Sequence, residues 1–308
     1  MKKRLKMILA SLLGLIIFVI VLLDLSNRVM QAHVERVLEG TAQDDIVFIE
    51  VDGLRIATRQ YGLENIDVIV LVHGFMGNSF DFHEIALELA TSHRIIALDL
   101  VGFGMSDKPS DFDYSKTRQA ELVAQVLEHL DVEHYVLGGH SMGGEVVLRH
   151  AHLYPERVLQ LILFASAGLQ SGQNRVLPRP FYHLLFKNYF IQRTVFKSVF
   201  ANPSYHDADR FNPMFRVNST IPTRTLQAFS RAKDDTTVLS FIDAIEIPTL
   251  IIYGNEDTWT PPENGTLFHA HLSNSQLVLL EGVGHMPFIE GLAETLNYVQ
   301  DFLNGAGR

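Results

Sequence analysis

Val136-Leu137-Gly138-Gly139-His140-Ser141-Met142-Gly143-Gly144 is the stretch whose reading decides the fold. An apolar β-like run ends in glycines, a lone serine follows, and a helix-like segment starts directly after it. This is a G-x-S-x-G pattern in a strand-turn-helix context. A serine on so sharp a turn projects its hydroxyl out of the backbone. Glycines two before and two after it let strand and helix pass closely. The following helix aims its N-terminal N–H groups at any anion that forms beside the serine. A plain Gly-rich βα turn has the same pattern. The serine therefore gains meaning only if a base, an acid and an oxyanion loop stand at other strand ends.

An activated serine needs a base within hydrogen-bond reach, and the base needs an orienting group. Among fourteen histidines, His285 follows an apolar strand, Gln276–Leu280, in a loop with two glycines before it. That is the carboxyl edge of an open sheet, where such folds place their sites. Asp257 follows the strand Thr249–Tyr253 in the same manner, with Glu256 as a rival carboxylate beside it. The other place for an acid, after the strand Val158–Ala165, reads Ser166-Ala167-Gly168 and has no carboxylate. After the strand Asp67–Val72 comes His73-Gly74-Phe75-Met76-Gly77. The N–H of Phe75 and that of Met142 are the expected oxyanion donors. Losing one such donor typically costs about 10²–10³ in turnover. His73 is read as shaping its loop through a structural hydrogen bond, and His140 as a packing or pocket-wall residue. His150 and His152 are two apart and do not share a helix face, so no metal site is expected.

Working outward, Ile46–Val51 and Arg55–Gln60 flank Asp52-Gly53, a strong hairpin signal. Thereafter short buried strands alternate with helical patterns, including an amphipathic helix over Lys116–Leu130. That rhythm implies a mostly parallel sheet covered on both faces, with antiparallel strands at one edge. Residues 169–245 interrupt it with prolines at 178, 180, 203, 213 and 222 and no clean β pattern. They read as a helical cap inserted into a core of 31–168 and 246–308. The cap holds ten Lys/Arg against five Asp/Glu, whereas the whole chain of 308 residues carries −10. Its many aromatics, from Phe181 to Phe200, are expected to form mainly its own small core. The acidic balance argues against nucleic acid as a partner. With no cysteine, disulfides and thiolate chemistry are excluded.

Residues 1–30 form a separate unit. Lys2, Lys3, Arg4 and Lys6 precede an uncharged run from Met7 to Leu23, ended by Asp24. Seventeen residues is the lower limit for spanning a bilayer, and no A-x-A-like cleavage site follows. The expectation is an uncleaved transmembrane anchor with a cytoplasmic N-terminus and an extracytoplasmic catalytic domain. Signal cleavage with secretion or periplasmic release is the alternative. The basic, aromatic cap lying against a membrane surface accords with this expectation.

With these parts in place, the chain resembles the α/β-hydrolase superfamily. The order Ser141…Asp257…His285 is that superfamily's chain order. Asp99-Leu100-Val101-Gly102-Phe103-Gly104-Met105-Ser106-Asp107 is similar to its D-x-x-G-x-G-x-S loop, which is usually structural. The resemblance implies an α/β-hydrolase fold with a mostly parallel eight-stranded sheet and an inserted cap. It also implies a Ser-His-Asp triad working without cofactor or metal. Dehalogenases and epoxide hydrolases put aspartate where this chain has Ser141. Gly139-His140-Ser141-Met142-Gly143-Gly144, the short cap, the expected anchor and Ser166-Ala167-Gly168-Leu169 look like membrane-anchored monoacylglycerol lipases and related carboxylesterases. That branch implies hydrolysis of a small-molecule ester or lipid. Carbon–carbon bond hydrolases of ring cleavage share the elbow and cap, with Arg175, Arg179 or Arg193 as candidate cations for a dienoate carboxylate. Cofactor-free perhydrolases and non-catalytic binding proteins of this fold complete the alternatives.

Overall fold

The structure, a computed structural model, describes residues 2–38, 46–169 and 176–305; the side chains of 2–10, 12, 13, 15–17, 19, 20, 179 and 180 are outside that description. Its strands are β1 Ile46–Val51, β2 Leu54–Tyr61, β3 Val68–Val72, β4 Arg94–Leu98, β5 Tyr135–His140, β6 Val158–Phe164, β7 Thr249–Gly254 and β8 Ser275–Leu280. They form one eight-stranded sheet in the order β1-β2-β4-β3-β5-β6-β7-β8. β2 is antiparallel to both of its neighbours, β1 and β4, and β3 to β8 run parallel. The Asp52-Gly53 turn joins β1 to β2 with φ of 54° and 71°. Positive φ at both central residues suits the twist of a tight hairpin.

The helices are α1 Lys2–Val37, α2 His83–Leu89, α3 Lys116–His129, α4 Met142–Leu153, α5 Arg179–Lys187, α6 Tyr189–Ser198, α7 Ala208–Ser219, α8 Thr223–Arg231, α9 Glu263–His271, α10 Pro287–Glu290 and α11 Leu292–Leu303. Alternation along β3 and β4 divides the core. Val70, Val72, Ile96 and Leu98 face Leu122 and Val126 of α3 and Val146 and Val147 of α4. Ile69, Leu71, Ile95 and Ala97 belong to the opposite layer, with Ile85 and Leu89 of α2 and Val299 and Phe302 of α11. Each large aliphatic side chain among these contributes about 1.5–3 kcal/mol by leaving water. The chain closes with two short helices, α10 and α11, separated at Gly291.

Between β6 and β7 the described residues hold α5 to α8 and short 3-10 turns, with no strand. Their core is aromatic. The Tyr189 ring meets those of Phe211 and Phe215 at 5.1 and 5.2 Å, and Phe196 meets Phe211 at 5.3 Å. Phe181 and Phe190 are exposed.

The N-terminus corrects the sequence reading. α1 is one continuous helix of 36 residues that runs on past Asp24 through Arg28 and Glu35. Among the described residues no helix is long and apolar enough to cross a membrane. The expected single-pass anchor and extracytoplasmic placement are therefore not supported. Most side chains of the run Met7–Leu23 lie outside the described residues. What the second half of α1 does is clear from its contacts. Asn27, Met30 and Val34 recur at helical spacing on one face. Asn27 Oδ1 accepts the Tyr189 N–H at 2.7 Å, and Glu35 pairs with Arg216 at 3.0 Å. Val34 is buried in the same layer as Phe211 and Phe215. The helix is a strut for α6 and α7.

Candidate active site

β5 hands the chain to α4 through Ser141, which has φ 51° and ψ −120°. A non-glycine residue held there costs about 1–3 kcal/mol, which the surroundings must sustain. Its N–H donates to Phe164 O at 3.0 Å, and its carbonyl accepts from Gly144 N at 2.9 Å and Ala167 N at 2.8 Å. The flanking glycines are steric necessities. A Cβ on Gly139 would lie 2.5 Å from Gly143 O, and one on Gly143 2.2 Å from Val72 O.

His285 follows β8, and its backbone N–H donates to Val199 O in the helical insertion at 2.8 Å. Its Nδ1–H donates to Asp257 Oδ2 at 2.8 Å, and both residues are buried. With Nδ1 so committed, Nε2 is the nitrogen left for proton transfer. Asp257 follows β7 and is held by a tight local turn. Its Oδ1 accepts from the N–H groups of Trp259 at 2.7 Å and Thr260 at 3.0 Å. Burial opposes ionisation of this carboxyl, but hydrogen bonds and charge from His285, with those from Thr260, hold it below the usual carboxylate range. Glu256 is exposed. Asp257, not Glu256, is the carboxylate brought to the imidazole.

The loop after β3 is pinned by His73. Its Nδ1 donates to Gly74 O at 2.7 Å, and its Nε2 accepts from Leu100 N at 3.0 Å. Burial pushes its pKa down, so it is a neutral structural residue. His140 donates from Nε2 to His285 O at 2.9 Å, and burial first, then the adjacent His285, holds its pKa well below the ordinary value. The N–H groups of Phe75 and Met142 have no protein acceptor among the described residues. They are free to meet an oxyanion. The Phe75 ring packs on Phe103 at 5.5 Å and on Phe229 of α8 at 5.2 Å, tying this loop to the insertion.

Ser141, His285, Phe75 and Trp259 line one cavity of about 910 Å³. Leu185, Phe186, Ile191, Val195 and Phe196 make its wall on the insertion side. No group of three metal-ligating side chains occurs among the described residues. Arg193 is directed at Tyr189 and over Phe211 rather than into the cavity; Arg175 and the Arg179 side chain lie outside the described residues.

Sequence reasoning missed three contributors. Thr260 Oγ1 lies 2.8 Å from Asp257 Oδ2, 3.1 Å from His285 Nδ1 and 2.9 Å from Ala165 O. An Asp-x-x-Thr turn after a strand was the available signal. Asn218 of α7 donates to Met76 O at 2.7 Å, and Arg59 of β2 enters the cavity wall. Neither has a local sequence signal, because each acts across the fold.

Comparison with known proteins identifies the family. The model of a family described as alpha/beta hydrolase fold matches residues 67–292. The chain belongs to the α/β-hydrolase family. This hydrolase is 30% identical over 263 residues to Lipase 3 of Moraxella sp. (strain TA144), covering 77% of each chain. It is 30% identical over 227 residues to 2-hydroxymuconate semialdehyde hydrolase of Pseudomonas sp. (strain CF600), covering 70% of this chain and 78% of that one. A solved structure titled a bacterial membrane phospholipase A aligns with TM-score 0.73 and 27% identity, over 96% of this chain and 97% of that one.

Proposed function

We propose that this α/β hydrolase cleaves carboxylic esters with an apolar acyl chain through an acyl-enzyme on Ser141. The carrying observation is that Ser141, on its strained elbow, shares a mainly apolar cavity with His285, whose imidazole is paired to the buried Asp257. His285 takes the proton of Ser141 as the hydroxyl attacks the ester carbonyl. The N–H groups of Phe75 and Met142 hold the tetrahedral oxyanion. Asp257 keeps the imidazole in the Nδ1–H tautomer and stabilises the imidazolium. The protonated alcohol leaves, and water repeats the cycle on the acyl-enzyme. Residues 169–245 act as the cap whose aromatic wall receives the chain, over a core of 31–168 and 246–308. The likeness to Lipase 3 supports this reading.

Carbon–carbon bond hydrolysis is the second reading, favoured by the likeness to 2-hydroxymuconate semialdehyde hydrolase. The two are separated by kcat/KM for p-nitrophenyl esters of short and medium-chain acids against a ring-cleavage dienoate. The ester reading expects turnover of the esters and little of the dienoate; the reverse order overturns it.

A further inference from the structure

Three arginines line the cavity among the described residues, and two of them are neutralised. Arg210 pairs with Glu84 at 2.8 Å, and Arg216 with Glu35 at 3.0 Å. Arg59 is different. It is only 7% exposed, its Nε has no hydrogen-bond partner, and its side chain makes no ion pair or hydrogen bond with the described residues. Its guanidinium lies over the Phe80 ring, 5.2 Å from the centroid. Such stacking orients a cation but supplies no counter-charge. A buried, unpaired guanidinium is costly to keep unless something fills its donor positions.

Two carboxylates of the cavity wall are committed to backbone N–H groups instead. Asp99 accepts from Ser79 N and Met105 N, both at 2.6 Å, one bond to each oxygen. Asp81 caps its turn by accepting from Asn78 N at 3.0 Å, and burial pushes its carboxyl up to about 7. Arg59 lines the same cavity as the loop Gly74–Gly77 and the aromatic side chains of the insertion, and Phe80, on which it stacks, follows that loop in the chain. An acyl chain suits the aromatic side chains of the insertion, which leaves the cationic Arg59 for the alcohol side of the ester.

We propose that Arg59 anchors an anion subsite, so that the substrate's alcohol portion carries a carboxylate or phosphate. This rests on the ester-hydrolase reading above. A planar guanidinium with free donors matches either group in bidentate fashion.

The test compares kcat/KM for 1-lauroylglycerol, 1-lauroylglycerol 3-phosphate and the lauroyl ester of glyceric acid, in wild type, Arg59→Met and Arg59→Lys. The ratio of anionic to neutral substrate cancels any loss of folded protein. At least one anionic ester should be favoured about tenfold or more by wild type, in line with hydrogen bonds to a charged partner. Arg59→Met should bring that ratio close to one, Arg59→Lys should keep most of it, and the favoured ester identifies the anion. A ratio near one in wild type, or one unchanged in Arg59→Met, overturns the subsite. If 1-lauroylglycerol and both anionic esters are inert, the ester reading fails instead. Binding then decides the subsite alone, read from Trp259, the chain's single tryptophan and a cavity residue. Ser141→Ala protein should bind 1-lauroylglycerol 3-phosphate about tenfold tighter than the double variant Ser141→Ala, Arg59→Met does, again in line with a charged hydrogen bond. Equal affinity in the two overturns the subsite.

Discussion

Thr260 shows how much of the site depends on one hydroxyl. Its single proton goes either to Asp257 Oδ2 or to Ala165 O, while its oxygen also faces His285 Nδ1. It is a positioning residue for the Asp257–His285 pair. Hydrogen bonds to charged groups contribute about 1.5–3 kcal/mol. Thr260→Val should accordingly lower kcat/KM on a p-nitrophenyl ester by about tenfold or more, while Thr260→Ser stays within a few-fold of wild type. Equal losses in both variants would assign Thr260 to packing alone. His150 makes a different prediction, about stability. It is fully buried on α4, with Nδ1 donating to Ala120 O at 3.0 Å and Nε2 accepting from Tyr135 O–H. Burial lowers its pKa to about 4 from 6.5. The unfolded chain therefore binds more protons between those values, and stability falls as pH drops from 6.5 to about 4. A gap of that size corresponds to about 3 kcal/mol. Urea titrations at neutral pH and near the lower value should show wild type losing more stability than His150→Gln; parallel losses would contradict this.

Secondary elements divide by how local their causes are. β5, α4 and the Asp52-Gly53 hairpin were legible because short-range chemistry specifies them: an apolar run, glycines where a Cβ would collide, and positive φ at a turn. The order of strand ends bearing Phe75, Ser141, Asp257 and His285 was legible for the same reason. The role of α1 was not. Its apolar first half resembles a membrane span in isolation, whereas Asn27 and Glu35 find their partners, Tyr189 and Arg216, far along the chain. Long-range docking leaves no local pattern. If α1 is a strut, Val34→Asp should raise amide exchange in α6 and α7 while leaving β5 and α4 protected. Unchanged exchange across 189–219 would show that the insertion holds itself.

At the level of the molecule, one sheet positions everything the chemistry needs. β3, β5, β7 and β8 run parallel, so the residues after Val72, His140, Gly254 and Leu280 emerge at one edge. The insertion closes over that edge and reaches back to the site through Val199 to His285 and Asn218 to Met76. What the sequence could not reveal were these returns from the insertion, together with Arg59, which matter only once the fold has assembled. The central claim is that Ser141 is a nucleophile activated by His285. A fluorophosphonate probe tests it most directly, with the modified peptide located by mass spectrometry. Wild type should be labelled on Ser141, with labelling abolished in Ser141→Ala and slowed at least about a hundredfold in His285→Ala, the scale on which a general base acts. No labelling of wild type, or equal labelling of Ser141→Ala, would contradict the account.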